Sequence, residues 1–263
     1  MGSASTQALI ATRSALDAAV GVDLDTAREL FAAARTVGDV SHLSGALADS
    51  TADPATRTRL VSDIFGGQFS QTTVSLLTAI AAQRWSRAAD LTEAIEETAV
   101  RAAAIAEPSV DIEGELFAVL QTVASDAELE LALGSRLGDA AAKGALADTL
   151  FGGRVSPATS LIVSSLVQRP RDRRVRELLT SAMRVVTDQR GRMVATVISA
   201  APLSAAQAER LTASLAKKYG RDVALNAIID PSVIGGLRVQ VADDIIDGSI
   251  SGRLADLRQR LAG

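Results

Sequence analysis

The chain has 263 residues, of which 48% are apolar and only 3% aromatic, and its formal charge is −4. The apolar content excludes a disordered tail, and the negative charge disfavours nucleic acid and anionic membranes as partners. The absence of cysteine excludes disulfides, thiol catalysis and thiolate metal sites. No apolar run is long enough to span a bilayer, and no signal peptide is expected. The prevalence of alanine and leucine favours closely packed helices.

The residue pattern up to residue 186 predicts helices separated by breakers. The first predicted helix covers residues 3–20, and a long one covers residues 86–106. Between them, Asp53-Pro54 predicts a helix start, because an aspartate cap followed by proline at the first helical position is typical there. Gly66-Gly67 predicts the end of the same helix. We therefore expect one helical bundle, or two stacked bundles, in this part of the chain.

Two stretches of this helical region repeat each other without a gap, 86 residues apart. The sequence Glu-Leu-Phe-Ala at residues 29–32 returns at 115–118, and Phe65-Gly66-Gly67 returns as Phe151-Gly152-Gly153. About fifteen of the forty positions from Arg28 to Gly67 are identical to their counterparts, which an alanine-rich composition seldom gives by chance. The repeat predicts a duplicated helical unit.

After residue 191 the hydrophobic period changes. The run that follows is rich in β-branched side chains, which favours a strand, and two later runs alternate with period two, which predicts strands with one covered face. Ser204 and Gln207 form a capping-box pattern, which predicts a helix start. The predicted order is strand, helix, strand, strand and helix, over residues 193–199, 204–219, 223–229, 237–241 and 249–262.

The predicted fold class is therefore α+β. An N-terminal helical bundle contains an internally duplicated helical unit, and a small mixed-sheet α/β domain follows it. The predicted domains are a helical bundle over residues 1–106, the second, duplicated helical unit over 107–186, and the small α/β domain over 187–263.

No catalytic, cofactor-binding or metal-binding residue is predicted. His42 is the only histidine, and its place at a helix boundary favours a surface or capping role. The acidic residues Asp243-Asp244 and Asp247 are interpreted as turn-forming, because a calcium loop needs more oxygen ligands. Five arginines between Arg169 and Arg176 are interpreted as a solvated face, with a protein-facing patch as the next choice.

Three blocks follow one another in the C-terminal third: Val-Ile-Ser-Ala-Ala-Pro-Leu-Ser at 197–204 with Gln207, Asp-Pro-Ser-Val-Ile-Gly-Gly at 230–236, and Ile-Asp-Gly-Ser at 246–249. In this order they resemble the delta subunit of bacterial ATP synthases, the oligomycin-sensitivity-conferring protein family. Residues 5–106 resemble the family's N-terminal helical domain. The second copy resembles the enlarged form found in actinobacteria.

The resemblance implies a non-catalytic stator subunit of the peripheral stalk. Such a subunit links the top of the catalytic head to the b-type, membrane-anchored stalk and resists rotor torque during proton-driven ATP synthesis. The implied partners are the N-terminal helix of an alpha subunit, held by the helical domain, and the b-type stalk subunit, held by the C-terminal domain. The implied location is peripheral, on the cytoplasmic face of the cell membrane, without membrane insertion, nucleic acid or cofactor.

The resemblance also implies a groove for the alpha subunit between the first and fifth helices of the helical domain. Here Ile10 falls on the polar side of the first predicted helix, where burial inside the bundle is not expected. The residues predicted to line the groove are Leu9, Ile10, Arg13, Leu76 and Ile80. For Trp85, core anchoring and partner contact stay equally open, because tryptophan is common in both places.

Two other functions stay open at this point. One is a helical RNA- or protein-binding adaptor unrelated to ATP synthase, against which the acidic balance and the lack of an aromatic platform argue. The other is an enzyme whose buried carboxylate site forms only in three dimensions, for which the sequence shows no nucleophile and base at recognisable spacing.

Overall fold

The structure, a computed structural model, describes residues 2–135, 138–171, 173–231, 233, 235–241 and 244–248. The chain divides into two compact units, Met1–Val185 and Val186–Gly263. Among the described residues of the first unit, the only β pairing is an isolated bridge between Gly152 and Val155. The predicted change from helices to a small sheet, and with it the α+β class, is confirmed.

The first unit is built from consecutive helices. They are α1 (Ser3–Asp17), α2 (Leu24–Asp39), α3 (Ser41–Ala48), α4 (Pro54–Phe65), α5 (Gln71–Ala82), α6 (Ala88–Ala106), α7 (Ile112–Ser125), α8 (Ala127–Gly134), α9 (Ala140–Phe151), α10 (Pro157–Gln168) and α11 (Val175–Gln189), the last of which begins in this unit. The sequence had not predicted α3 as a separate helix.

Side-chain caps fix where several of these helices begin. Asp53 accepts a hydrogen bond from the backbone N–H of Ala55, and Pro54 occupies the first helical position of α4, as predicted. Ser70 caps α5 through the N–H of Thr73. The α4 helix ends at Phe65, with Gly66 as its C-terminal cap. These local signals divide the chain at the same places in both copies of the repeat.

The core of the first unit surrounds α6, which contacts α1, α2, α3, α5 and α10. Its alanines Ala94, Ala99, Ala102 and Ala103 are completely buried. Small side chains let neighbouring helices approach closely. The alanine-rich composition therefore allows dense packing around one central helix.

The second unit contains a four-stranded sheet in the order β2-β1-β3-β4. Its elements are β1 (Met193–Ser199), α12 (Ala205–Tyr219), β2 (Val223–Ile229), β3 (Leu237–Val241) and β4 (Asp244–Asp247). Strand β1 is parallel to β2 and antiparallel to β3, and β3 is antiparallel to β4. Helix α12 connects β1 to β2, and its Leu215 joins Val197 and Val239 in the apolar core.

Helix α12 shows both predicted end signals. Ser204 and Gln207 form the capping box, and Gly220 ends the helix in the left-handed conformation with φ of 68°. The strand predictions were partly wrong. Ala227 and Ile229 are exposed although alternation predicted a covered face, because β2 is an edge strand.

The sequence also missed β4, whose aspartates had been interpreted as part of a turn. Four residues with an acid at each end carry too little alternation to predict a strand. The last predicted helix, 249–262, lies outside the described residues.

Candidate partner-binding surfaces

The repeat is carried by helices of matching length. An offset of 86 residues takes α3, α4 and α5 onto α8, α9 and α10 with identical first and last positions. Buried apolar residues match as well: Leu30 corresponds to Leu116, and Phe65 to Phe151, and all four are buried. The correspondence supports a duplicated helical unit, although the domain boundaries at residues 106 and 107 stay a prediction.

A carboxylate ties each copy together in the same way. Glu29 Oε2 accepts hydrogen bonds from the N–H of Ser70 (3.0 Å), from its hydroxyl (2.8 Å) and from the hydroxyl of Thr73 (2.6 Å). In the second copy, Glu115 makes the corresponding three bonds to the serine and threonine that cap α10, at 3.0, 2.7 and 2.5 Å. These residues hold helices together and are not a reaction site.

A buried cation also recurs at equivalent positions. Arg57 is 2% exposed and donates hydrogen bonds to the carbonyl oxygens of Asp49 (2.9 Å) and Ala82 (3.2 Å). Lys143 is 6% exposed and donates to the carbonyl oxygen of Ser135, the counterpart of Asp49, at 2.9 Å. Burial lowers the pKa of Lys143 below its ordinary value of 10.5. Each cation satisfies carbonyl groups at helix ends, which is a structural role.

The predicted groove residues lie on α1 and α5, which are in contact. Ile10 is 60% exposed, and Leu9 and Arg13 are half-buried. Arg13 Nη2 forms an ion pair with Glu97 on α6 at 2.9 Å. Leu76 and Ile80 are only 3% and 1% exposed, so they lie beneath the surface. Of the five predicted groove residues, only those on α1 therefore reach the surface where a partner could contact them.

At the start of α1 the side chains are held in a hydrogen-bonded group. Ser5 Oγ donates to Asp90 at 2.7 Å and accepts from the N–H of Ser86 at 2.9 Å. Burial favours the neutral form of Asp90, but the hydrogen bonds from Arg87 and Ser5 outweigh it and hold its pKa below the ordinary value of 3.8. Trp85 is 4% exposed and donates to the Ile80 carbonyl at 2.9 Å, which makes it a core anchor.

The arginine cluster is largely an internal contact, so the interpretation as a solvated face was wrong for three of its members. Arg169 donates to the carbonyl oxygens of Ala34 (3.1 Å) and Arg35 (3.3 Å) at the end of α2. Arg171 and Arg173 each contact Glu96 on α6 at 2.6 Å. The sequence could not show these contacts, because the partners of the arginines lie 75 or more residues away along the chain. Arg174 and Arg176 remain exposed.

Of the acidic group predicted from the sequence, Asp244 and Asp247 pair within the second unit, and Asp243 lies outside the described residues. Asp244 accepts from the Tyr219 hydroxyl and lies 3.3 Å from Lys218 Nζ, and the hydrogen bond to Asp244 raises the pKa of Tyr219. Arg238 lies 3.8 Å from Asp247. No group of acidic or histidine side chains among the described residues has the geometry of a metal site. His42 is exposed on α3.

A shallow cleft in the second unit is bounded by the loop after β1, one face of α12 and the start of β3. It is lined by Ser199, Ala200, Ala201, Pro202, Leu203, Gln207, Arg210, Leu211, Ser214, Gly236 and Leu237. Several of these residues belong to the sequence blocks at 197–204 and 230–236. Across the described residues, no helix is both long and apolar enough to cross a bilayer.

Comparison with known proteins gives consistent matches. The family model "ATP synthase delta (OSCP) subunit" matches residues 98–261, which covers the second helical copy and the sheet unit. The ATP synthase subunit delta of Leifsonia xyli is 49% identical over 266 residues and that of Streptomyces griseus 39% identical over 271, and both alignments cover 100% of each chain.

A chain in the cryo-EM structure of the Toxoplasma gondii mitochondrial ATP synthase hexamer covers 64% of this chain and 97% of its own length. Its identity is 21% and its TM-score 0.37, values too low to support a structural argument. The family match and the full-length relatives, by contrast, leave the unrelated adaptor without support. The chain belongs to the ATP synthase delta (OSCP) subunit family.

Proposed function

We propose that this chain is the non-catalytic stator subunit that joins the catalytic head of a rotary ATP synthase to its peripheral stalk. The observation that carries the proposal is the full-length similarity to proteins named ATP synthase subunit delta, at 49% identity for the Leifsonia xyli protein. A connector of this kind needs surfaces for partner helices and no reacting group. It would act peripherally at the cytoplasmic face of the membrane, as part of the complex.

We propose that the first helical copy binds the N-terminal helix of an alpha subunit along α1. The supporting feature is Ile10, a large apolar side chain that is 60% exposed on the polar side of its helix. Half-buried Leu9 and Arg13 flank it, so that an amphipathic helix would meet an apolar centre with a cation at its rim. Leu76 and Ile80 would support the groove from below.

For the second unit we propose contact with the b-type stalk subunit. The supporting feature is the cleft formed by the β1–α12 loop, α12 and β3, which presents Pro202, Leu203 and Leu211 beside Arg210. Apolar side chains edged by a cation suit one face of an amphipathic helix. The glycine at its margin, Gly236, has φ of 96°, which a side-chain-bearing residue rarely adopts.

The test of this function is the restoration of energy coupling. Membranes depleted of the delta subunit should regain proton-driven ATP synthesis when the purified chain is added. Ile10→Asp should weaken rebinding, because it places a charge at the apolar centre of the groove; an effect of at least about 2 kcal/mol is expected for such a position.

The matched control is Val20→Asp, since Val20 is 88% exposed but lies beyond the end of α1. Leu76 is unsuitable for the same test, because an aspartate at a 3% exposed position would destabilise the bundle itself. Failure of the wild-type chain to restore synthesis would refute the stator function. Equal rebinding of both variants would refute only the position of the groove.

A further inference from the structure

The repeat extends further towards the N-terminus than the sequence comparison indicated. The same offset of 86 residues takes α1 (Ser3–Asp17) onto residues 89–103 of α6. Thr12 Oγ1 donates to the carbonyl oxygen four residues earlier at 2.9 Å, and its counterpart Thr98 does the same at 2.7 Å. Both threonines are buried. Helix α6 is therefore the first helix of the second copy, which continues with α7–α10, just as α1 is the first helix of the copy that continues with α2–α5.

This correspondence locates the surface in the second copy that is equivalent to the proposed groove. The counterparts of Leu9, Ile10, Arg13, Leu76 and Ile80 are Ile95, Glu96, Ala99, Ile162 and Leu166. All five counterparts are buried, with exposures of 2%, 9%, 0%, 0% and 4% in that order. In the first copy, by contrast, the three positions on α1 reach the surface. The second copy has no open face at this place.

The chemistry of the second copy explains why that face is closed. Where the first copy has exposed Ile10, the second has Glu96, whose carboxylate is held by Arg171 and Arg173, each at 2.6 Å. Arg171 also reaches Glu93 at 3.3 Å. A partner helix would have to displace these ion pairs and leave partly buried charges unpaired, which is costly.

The same arginine segment joins the two copies. Arg169, two residues before Arg171, donates to the carbonyl oxygens at the end of α2 and forms an ion pair with Asp39 at 3.3 Å. Helix α10, which would form one wall of a second groove, contacts both α2 and α6. The surface that could have bound a partner helix is thus used inside the chain.

We propose that the chain binds one alpha-subunit helix, on the first copy, and that the second copy braces the first and binds none. The inference rests on the proposed function. It differs from what the family alignment alone would suggest, because the matched region, 98–261, contains the second copy and not α1. Ile10 is exposed and its counterpart Glu96 is buried, and this difference assigns the groove to the first copy.

The experiment is an isothermal titration of the full chain with a synthetic peptide of the alpha-subunit N-terminal helix from the same organism. We expect one peptide per chain. Ile10→Asp should weaken binding by at least about 30-fold, the loss typical of a central interface position, with no second site emerging. Glu96→Gln is the matched change at the equivalent position, and it should leave stoichiometry and affinity unaltered.

Circular dichroism of both variants would confirm that the helices are intact. Two peptides per chain would overturn the inference and leave the proposed function standing. A third outcome is that Ile10→Asp binds one peptide with undiminished affinity while Glu96→Gln binds none. This result would overturn the inference in favour of a groove on the second copy. No binding to the wild-type chain would refute the proposed groove, and this inference with it.

Discussion

Glu29 shows how a single carboxylate joins two helices. It accepts three hydrogen bonds from the serine and threonine at the start of α5. Burial opposes its charge, but these bonds outweigh burial and lower its pKa below the ordinary value of 4.5. A group with a lowered pKa in the folded state stabilises the fold above its unfolded-state pKa. The contribution is lost as the pH falls through the folded-state pKa.

Glu29→Gln should therefore destabilise the protein by about 1–2 kcal/mol at pH 7, because the amide replaces a charged acceptor. The difference from the wild type should shrink as the pH falls from about 4.5, the pKa of the unfolded chain, through the lower pKa of the folded state. Urea unfolding at several pH values measures this. Glu209→Gln, at an exposed position of α12, controls for the loss of one negative charge. A deficit that is constant from pH 7 to 3 would contradict the role of the charge.

The exposure of Ile10 follows from its place on the polar side of a helix, which the sequence shows. The burial of Leu76 could not be predicted in this way. Helix α5 is apolar on several sides, so its hydrophobic pattern cannot distinguish core residues from interface residues. The role of the arginines was equally hidden. Arg171 meets Glu96 across 75 residues of sequence, and no local pattern predicts such a pairing. What could be predicted at the residue scale is exposure on one helix, and not the partner of a charge.

At the scale of elements, helix ends were the most predictable feature. Asp53-Pro54, Ser204 with Gln207, and Gly220 each mark a boundary through hydrogen bonding or backbone conformation of the adjacent residues. Helix α3 was missed because it has only eight residues and contains a glycine. Strand β4 was missed because its stability comes from pairing with β3, which is a long-range contact.

Two glycines are expected to respond in opposite ways to replacement by alanine, because their backbone conformations differ. Gly220→Ala should destabilise the second unit by about 1–2 kcal/mol, because alanine is strained at its φ of 68°. Gly45→Ala should instead stabilise the first unit by about 0.5–1 kcal/mol, since Gly45 lies inside α3 and a methyl group there meets no atom within 4 Å. Thermal unfolding of both variants measures these shifts. Changes of the same sign would contradict the explanation.

At the scale of the whole molecule, an enzyme would catalyse a reaction as an isolated chain, whereas a connector would not. The chain has one histidine, which is exposed, and no metal-like cluster among the residues whose structure is described. We expect the purified protein to hydrolyse no ATP. The measurement is phosphate release before and after repurification, in the wild type and in His42→Ala. Hydrolysis that persists at constant specific activity through repurification, in both proteins, would contradict a purely structural role.

The position of α6 has a mechanical consequence. This helix packs on α1, α2, α3 and α5 of the first copy and on α10 of the second. A swing of one copy against the other would therefore have to break packing contacts of α6. If the chain resists rotor torque as proposed, a force applied at Ile10 would be transmitted through the packed helices with little deformation. The compliance that lets a rotary motor smooth its steps would then have to reside in other parts of the stator.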